Sequence, residues 1–390
     1  MTRQNLAALR AEYSAFLGSA PARILLTGHS HQAWPDVVRT AMSNAFDDAA
    51  RWVDDKWSEA VFPRIERVGR RICERLGFDG GDAIAFAEST HTLVYRLLSC
   101  FPSDARVVAT TSEFHSLDRQ LRRLEEDGLR VTWVDASARA ELADRLLESL
   151  TTGSDLLMLS AVLFEDAFVV PRLAEIVGRA CERGTTVLVD AYHGFNAVPL
   201  DWGPHRDQLF VTAGGYKYAQ FGEGICFLRF PKDTPLRPRF TGWFADFASL
   251  EQARTERSQP VGYGPGSARF SGATFDPTAF YRAEAVLDLF DRFGLDIAAL
   301  RAINVEQTKQ IVGRLEAAKL FLLSSRLAEE RGGFVALRTP EAHDVVSRLR
   351  RRGVFVDARG EALRLGPAPY LEEFEIDRAI DLVIEETSKR

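Results

Sequence analysis

The chain has 390 residues, 46% of them apolar and 27% charged, with 28 Gly and 16 Pro, which excludes collagen-like, coiled-coil and wholly disordered architectures. Lys and Arg number 49 against 55 Asp and Glu, and the net charge of -6 is spread without a single-sign tail, so neither nucleic acid nor an anionic membrane is the expected partner. A chain this long buries a substantial core, and two domains are expected.

The N-terminal stretch MTRQNLAALRAEYSAFLG reads as an amphipathic helix without the apolar core of a signal peptide, and no later run reaches the ~20 apolar residues of a membrane helix. Cys73, Cys100, Cys181 and Cys226 are scattered, with no CxxC. Disulfide frameworks and zinc sites need closer or paired spacing, so these read as four buried thiols of a reducing cytoplasm, with no metal site.

From about residue 57 helix and strand patterns alternate. Trp57, Val61, Ile65, Val68, Ile72 and Leu76 recur at helical spacing and Gly77 follows as a stop. Short apolar runs come next: AIAFA (83–87), RVVAT (106–110), RVTWV (130–134), DLLMLS (155–160), TVLVD (186–190), QLFVTA (208–213) and ICFLRF (225–230). Continuous apolarity implies strands covered on both faces, the mark of a mainly parallel α/β sheet. Residues 231–277, rich in Pro, Gly and aromatics, read as a long excursion. A long helical stretch (about 278–320) and a smaller α/β unit complete the chain. The layout divides into a large domain (46–277), a small C-terminal domain (278–390), and an N-terminal segment (1–45) packing with the latter.

In such sheets ligands bind beyond the carboxyl ends of the strands. TVLVD ends at Asp190, with His193 three residues on; capping of the next turn accounts for the pair equally well. QLFVTA leads to GGYKY, which sets Lys217 between Tyr216 and Tyr218. An apolar, aromatic setting lowers a lysine pKa, as Schiff-base chemistry requires, although a surface lysine snorkelling past two tyrosines has the same pattern. AIAFA leads to Ser89, Thr90 and His91 ahead of an apolar helix pattern, either an anion site or a plain N-cap. RVVAT leads to Phe114 and His115, either of which could cover a flat ring.

The ordered set of anion site, stacking aromatic, Asp and Lys, each at a strand end, resembles the fold-type I enzymes that use pyridoxal 5′-phosphate (PLP). Within them the chain is similar to the class V aminotransferase group, and most of all to the kynureninases. ILLTGHSHQAWP is similar to that family's FLGNSLGLQP segment, GGYKY to its SYKY, RFTGWFADF to its GWFGH, and VDARGEALRLGPAPY to its arginine-containing tail.

The resemblance implies that Lys217 carries the cofactor and moves protons at the substrate α-carbon, and that Asp190 pairs with the ring nitrogen. It implies phosphate contacts from Ser89, Thr90 and His91, contacts to phosphate or ring oxygen from His193 and Tyr216, and ring stacking by His115 or Phe114. Trp243, Gly272 and Thr274 would reach the phosphate from a neighbouring subunit, which implies a homodimer with shared sites. Arg364 would clamp the α-carboxylate of an amino-acid substrate, with His29, Ser30 and His31 lining its pocket; an arginine inside so apolar a run needs either that carboxylate or a structural acid.

Three reactions compete: kynureninase-type hydrolytic Cβ–Cγ cleavage of kynurenine or a related 2-amino-4-oxo acid, transamination, and desulfuration of cysteine. Desulfuration needs a mobile nucleophilic Cys late in the chain, and none follows Cys226. Departures from the kynureninase pattern fall where an aryl group would be recognised: Leu163–Phe168, Asp246 and Gly272. A non-catalytic protein of this fold has no reason to keep Lys217, Asp190 and Arg364. An NAD-dependent oxidoreductase would need a GxGxxG turn, which is missing.

Overall fold

The computed structural model describes residues 3–18, 23–81, 83–150, 153–251 and 260–388. Among these residues twelve strands follow one another as β1 (Ile24–Leu25), β2 (Ala83–Ala87), β3 (Arg106–Thr110), β4 (Arg130–Val134), β5 (Leu156–Ser160), β6 (Thr186–Asp190), β7 (Phe210–Gly214), β8 (Cys226–Phe230), β9 (Val335–Arg338), β10 (Val354–Phe355), β11 (Asp357–Arg359) and β12 (Ala362–Leu365).

Seven of these form the central sheet in the order β2-β8-β7-β6-β5-β3-β4. All pairings from β7 through β4 are parallel, whereas β8 runs antiparallel to both β2 and β7. Helices joining the parallel strands cover both faces. Alternate residues therefore enter two separate cores: Leu157, Leu159, Val187, Val189 and Val211 on one face, Leu156, Met158, Leu188, Phe210 and Leu228 on the other. The run RVTWV departs from this pattern. β4 is the sheet edge, and its residues alternate between exposed or half-buried positions until Val134.

The helical stretch expected over 278–320 is two helices, Thr278–Arg292 and Ile297–Ala317. Gly294 takes a positive φ of 63°, which an L side chain adopts only with strain, and ends the first. Asp296 then caps the second, its carboxylate accepting from Ala299 N–H at 2.7 Å.

The C-terminal part builds a three-stranded antiparallel sheet, β11-β12-β9, in which Asp357 lies directly opposite Arg364. The N-terminal segment is tied to it: β1 pairs in parallel with β10, and Arg10 forms a two-pronged ion pair with Glu375 at 2.7 Å per contact. No helix among the described residues is long and apolar enough to cross a membrane.

Asp296→Ala should lower stability by about 1 kcal/mol, the usual worth of an N-cap, read as a lower denaturant midpoint with unchanged slope.

Candidate active site

Asp190 is the last residue of β6, and Ser160, the last of β5, lies beside it in register. Beyond these strand ends opens a cavity of about 150 Å³ whose lining includes Ser89, Thr90, His91, Phe114, Asp190, His193, Tyr216 and Lys217. Residues separated by more than a hundred positions converge there because the strands that carry them are parallel and end at the same level.

Lys217 is buried, with only 5% of its surface exposed. Its Nζ lies 2.7 Å from His193 Nε2 and 4.4 Å from the centroid of the Tyr192 ring. Burial drives its pKa down to about 7; the Asp190 carboxylate opposes that shift and the Arg364 charge adds to it. His193 is pushed well below the ordinary histidine range by burial and by the neighbouring Lys217 charge, so it is the neutral partner of this pair. With Nε2 accepting from the lysine, Nδ1 carries the proton, and that nitrogen has no hydrogen-bond partner. Burial raises the Asp190 pKa, a shift held in check by the Tyr192 N–H, which donates to Oδ1 at 2.8 Å, and by Lys217.

The helix Thr90–Leu98 starts at the cavity wall. Ser89 caps it, its hydroxyl accepting from Thr92 N–H at 3.2 Å, which leaves the N–H groups of Thr90 and His91 at the positive end of the helix. The glycines before Lys217 are required by space: a Cβ on Gly214 would collide with the Tyr192 hydroxyl and the Cys226 thiol.

Phe114 lines the cavity, 5.3 Å from Lys217 Nζ, whereas His115 is exposed outside the lining and packs edge-on against Phe164 at 4.9 Å. Trp243, Gly272 and Thr274 lie outside this chain's cavity; Trp243 is 43% exposed and packs on Phe244 and Phe247.

Arg364 meets a structural acid: Asp357 takes its Nε at 2.9 Å and Nη2 at 2.5 Å, while Nη1 donates to the Phe164 carbonyl at 2.6 Å. His29 is wholly buried, with Nε2 2.8 Å from the same Asp357, and neither His29 nor Arg364 is in the lining of the Lys217 cavity. Burial lowers the His29 pKa to about 4, and the two partners hold Asp357 far below the ordinary carboxylate range. Ser30 and His31 line a neighbouring cavity, and the His31 ring stacks on Tyr216 at 5.1 Å.

Sequence reasoning missed Glu113, Tyr192 and Asp357. Glu113 is buried behind Asp190; its carboxylate accepts from the hydroxyls of Thr110 and Ser160, each at 2.6 Å. Burial drives its pKa up to about 7, with Asp190 adding to the rise. Its signal in the sequence was an acid three residues past a strand, next to the aromatic pair already singled out. The divergent segment 163–168 is pinned by Arg139, which bonds Glu165 at 2.7 Å and Asp166 at 2.9 Å, and it offers Phe164 to the cavity.

Residues 300–383 match the family model described as kynureninase C-terminal domain. The chain is 26% identical over 396 residues to the kynureninase of Pseudomonas fluorescens, covering 95% of this chain and 90% of that one. It is 22% identical over 386 residues to an uncharacterized aminotransferase of Bacillus subtilis, covering 96% and 98%. A solved apo cysteine desulfurase of Thermococcus onnurineus superposes with a TM-score of 0.79 over 98% of each chain at 16% identity, a likeness of fold. The architecture is the fold-type I architecture of PLP-dependent enzymes. In sequence the chain is thus similar to kynureninases and to an aminotransferase, at 22–26% identity, and its kynureninase likeness includes the C-terminal region 300–383.

Glu113 holds its proton to higher pH folded than unfolded, so its contribution to stability is complete below the unfolded value near 4.5 and disappears as pH rises through about 7. Glu113→Gln should remove this dependence: relative to the parent, the variant gains on the order of 2–3 kcal/mol between pH 4.5 and pH 8. Urea melts at the two pH values check this, and a constant difference between the proteins would refute it.

Proposed function

We propose that this chain is a PLP-dependent enzyme acting on an amino acid, and that its reaction is hydrolytic Cβ–Cγ cleavage of kynurenine or a related 2-amino-4-oxo acid, yielding alanine and an acid. The observation that carries the cofactor reading is a buried lysine amine of lowered pKa, opposite a buried carboxylate, in a cavity at the strand ends. An amine with a substantial neutral fraction near pH 7 can attack an aldehyde and can accept a proton.

The residues fit the cofactor. The N–H groups at the start of the helix Thr90–Leu98 suit a phosphate, Phe114 lines the cavity where a flat ring would lie, and the unpartnered His193 Nδ1–H is a donor awaiting an acceptor. When bound, PLP supplies an aldehyde carbon and an electron-withdrawing ring. Asp190 holds a proton at the ring nitrogen, and its raised proton affinity lets it share that proton. Lys217 Nζ takes the proton from the substrate α-carbon, with His193 at 2.7 Å to steady it. Arg364, held rigid by Asp357, keeps N–H bonds for an α-carboxylate. A homodimer belongs to this reading, with Trp243, Gly272 and Thr274 of a second copy closing the phosphate end; exposed Phe46, Trp243 and Phe247 are apolar surface for it to cover.

Hydrolysis is favoured over transamination by the kynureninase-type tail, which contains both Asp357 and Arg364. Desulfuration is disfavoured by the cysteines. Cys226 lines the cavity but is fixed as the first residue of β8 beside the Tyr192 hydroxyl, and burial raises its pKa to about 11, leaving almost no thiolate.

The purified protein should bind PLP with a visible absorption band that borohydride reduction fixes to Lys217, and Lys217→Ala should abolish turnover while leaving the fold. A protein that stays colourless with added PLP overturns the cofactor assignment. Kynurenine and 3-hydroxykynurenine are the first substrates to assay, with alanine as the product followed; conversion of the cofactor to its amine form without alanine release favours transamination instead. Arg364→Lys should raise KM by roughly 10–100-fold, the loss of a charge-assisted bond.

A further inference from the structure

Beside the Lys217 cavity lies a larger one of about 410 Å³, between the N-terminal segment and the small sheet. Three guanidinium groups line it: Arg23, just ahead of β1, Arg350, in the last turn of the helix Ala342–Arg351, and Arg359, the last residue of β11. Among the described residues no carboxylate lies within ion-pair distance of Arg23 or Arg350, and Arg23 Nε is buried without any partner. Arg359 donates to its neighbour's carbonyl and comes no nearer than 3.8 Å to Asp357. Among the described residues Asp357 is the sole acid in the lining, and its carboxylate already pairs with Arg364 and is hydrogen-bonded by His29.

Three like charges held around one concave space repel each other, and a buried guanidinium nitrogen without an acceptor is costly. An anion in the cavity would relieve both. The space also adjoins the reacting centre. His31, in its wall, stacks on Tyr216 of the Lys217 cavity, and Asp357 is shared with Arg364. The Arg359 charge is felt at Lys217 and at His193.

We propose that this cavity is a second anion subsite of the active site, which receives a carboxylate at the far end of the substrate side chain while Arg364 takes the α-carboxylate. The proposal deepens the functional reading above and rests on it for the role of Arg364. It specifies the substrate as an amino acid with an acidic tail, a 2-amino-4-oxo diacid in the case of Cβ–Cγ cleavage.

The test compares L-2-aminoadipate with L-norleucine, similar in length but lacking the second carboxylate, by titrating the PLP-loaded protein and following its visible spectrum. The diacid should bind at least tenfold more tightly. Arg23→Gln with Arg350→Gln should bring the two within about twofold while the absorption band of the loaded protein stays unchanged, and Arg350→Glu should reverse the preference. Equal binding by the parent, or a preference that survives the double substitution, overturns the proposal. Glutarate, followed by calorimetry on the protein without added PLP, decides the cavity independently of the cofactor. If no visible band forms but glutarate binds and Arg23→Gln abolishes it, the cofactor reading fails and the anion site stands. If glutarate binds to the loaded protein without competing with L-2-aminoadipate, the site is a separate effector site and its assignment to the substrate is wrong.

Discussion

Keeping a lysine amine out of water is the constraint around which the site is organised. Lys217 is enclosed by Tyr192, Phe114 and His193, and its position is tolerable because the amine can give up its proton near neutral pH. Asp190 faces the reverse penalty, since burial favours its protonated form. Each group makes the other's charge less costly, and Glu113 behind Asp190 couples a third titrating group to the pair. The parallel sheet supplies what this balance needs: several strand ends at one level, shielded from solvent by the helices on both faces.

A second buried charge system stands across from the first. Arg364, Asp357 and His29 form a chain of hydrogen bonds that fixes the guanidinium through two of its nitrogens. The cross-strand register of β11 and β12 makes the contact unavoidable, because Asp357 and Arg364 are direct neighbours. A guanidinium held this way offers its remaining N–H bonds along a fixed direction, which serves orientation more than affinity.

Much of this was legible in the sequence, and the remainder was hidden for identifiable reasons. Strands buried on both faces leave continuous apolar runs, so β2, β3 and β6 have the bounds that their runs suggested, and the strand-end rule led to Asp190 and Lys217. The helix break at Gly294 lay inside a long helical pattern, and it separates Thr278–Arg292 from Ile297–Ala317. Glu113 could not be separated from a surface acid, since its burial depends on Ser160, forty-seven positions away. Asp357 was invisible as the partner of Arg364 until the antiparallel register was known. His29 and His31 look equivalent in sequence, yet two residues of chain direction put one wholly inside and leave the other's ring against Tyr216 at the surface.

The reversed direction of β8 determines how the lysine can move. In a βα connection the residues after a strand belong to a loop free to hinge toward the next helix. Lys217 instead lies in the link between two antiparallel, hydrogen-bonded neighbours, closed at its base by Gly215 N–H to the Ile225 carbonyl at 2.9 Å and folded back by Phe221 N–H to the Gly215 carbonyl at 2.9 Å. The backbone at the lysine is thus clamped from both sides. The amine travels by rotations about its own methylene stem, and its working range is a small arc fixed by the sheet.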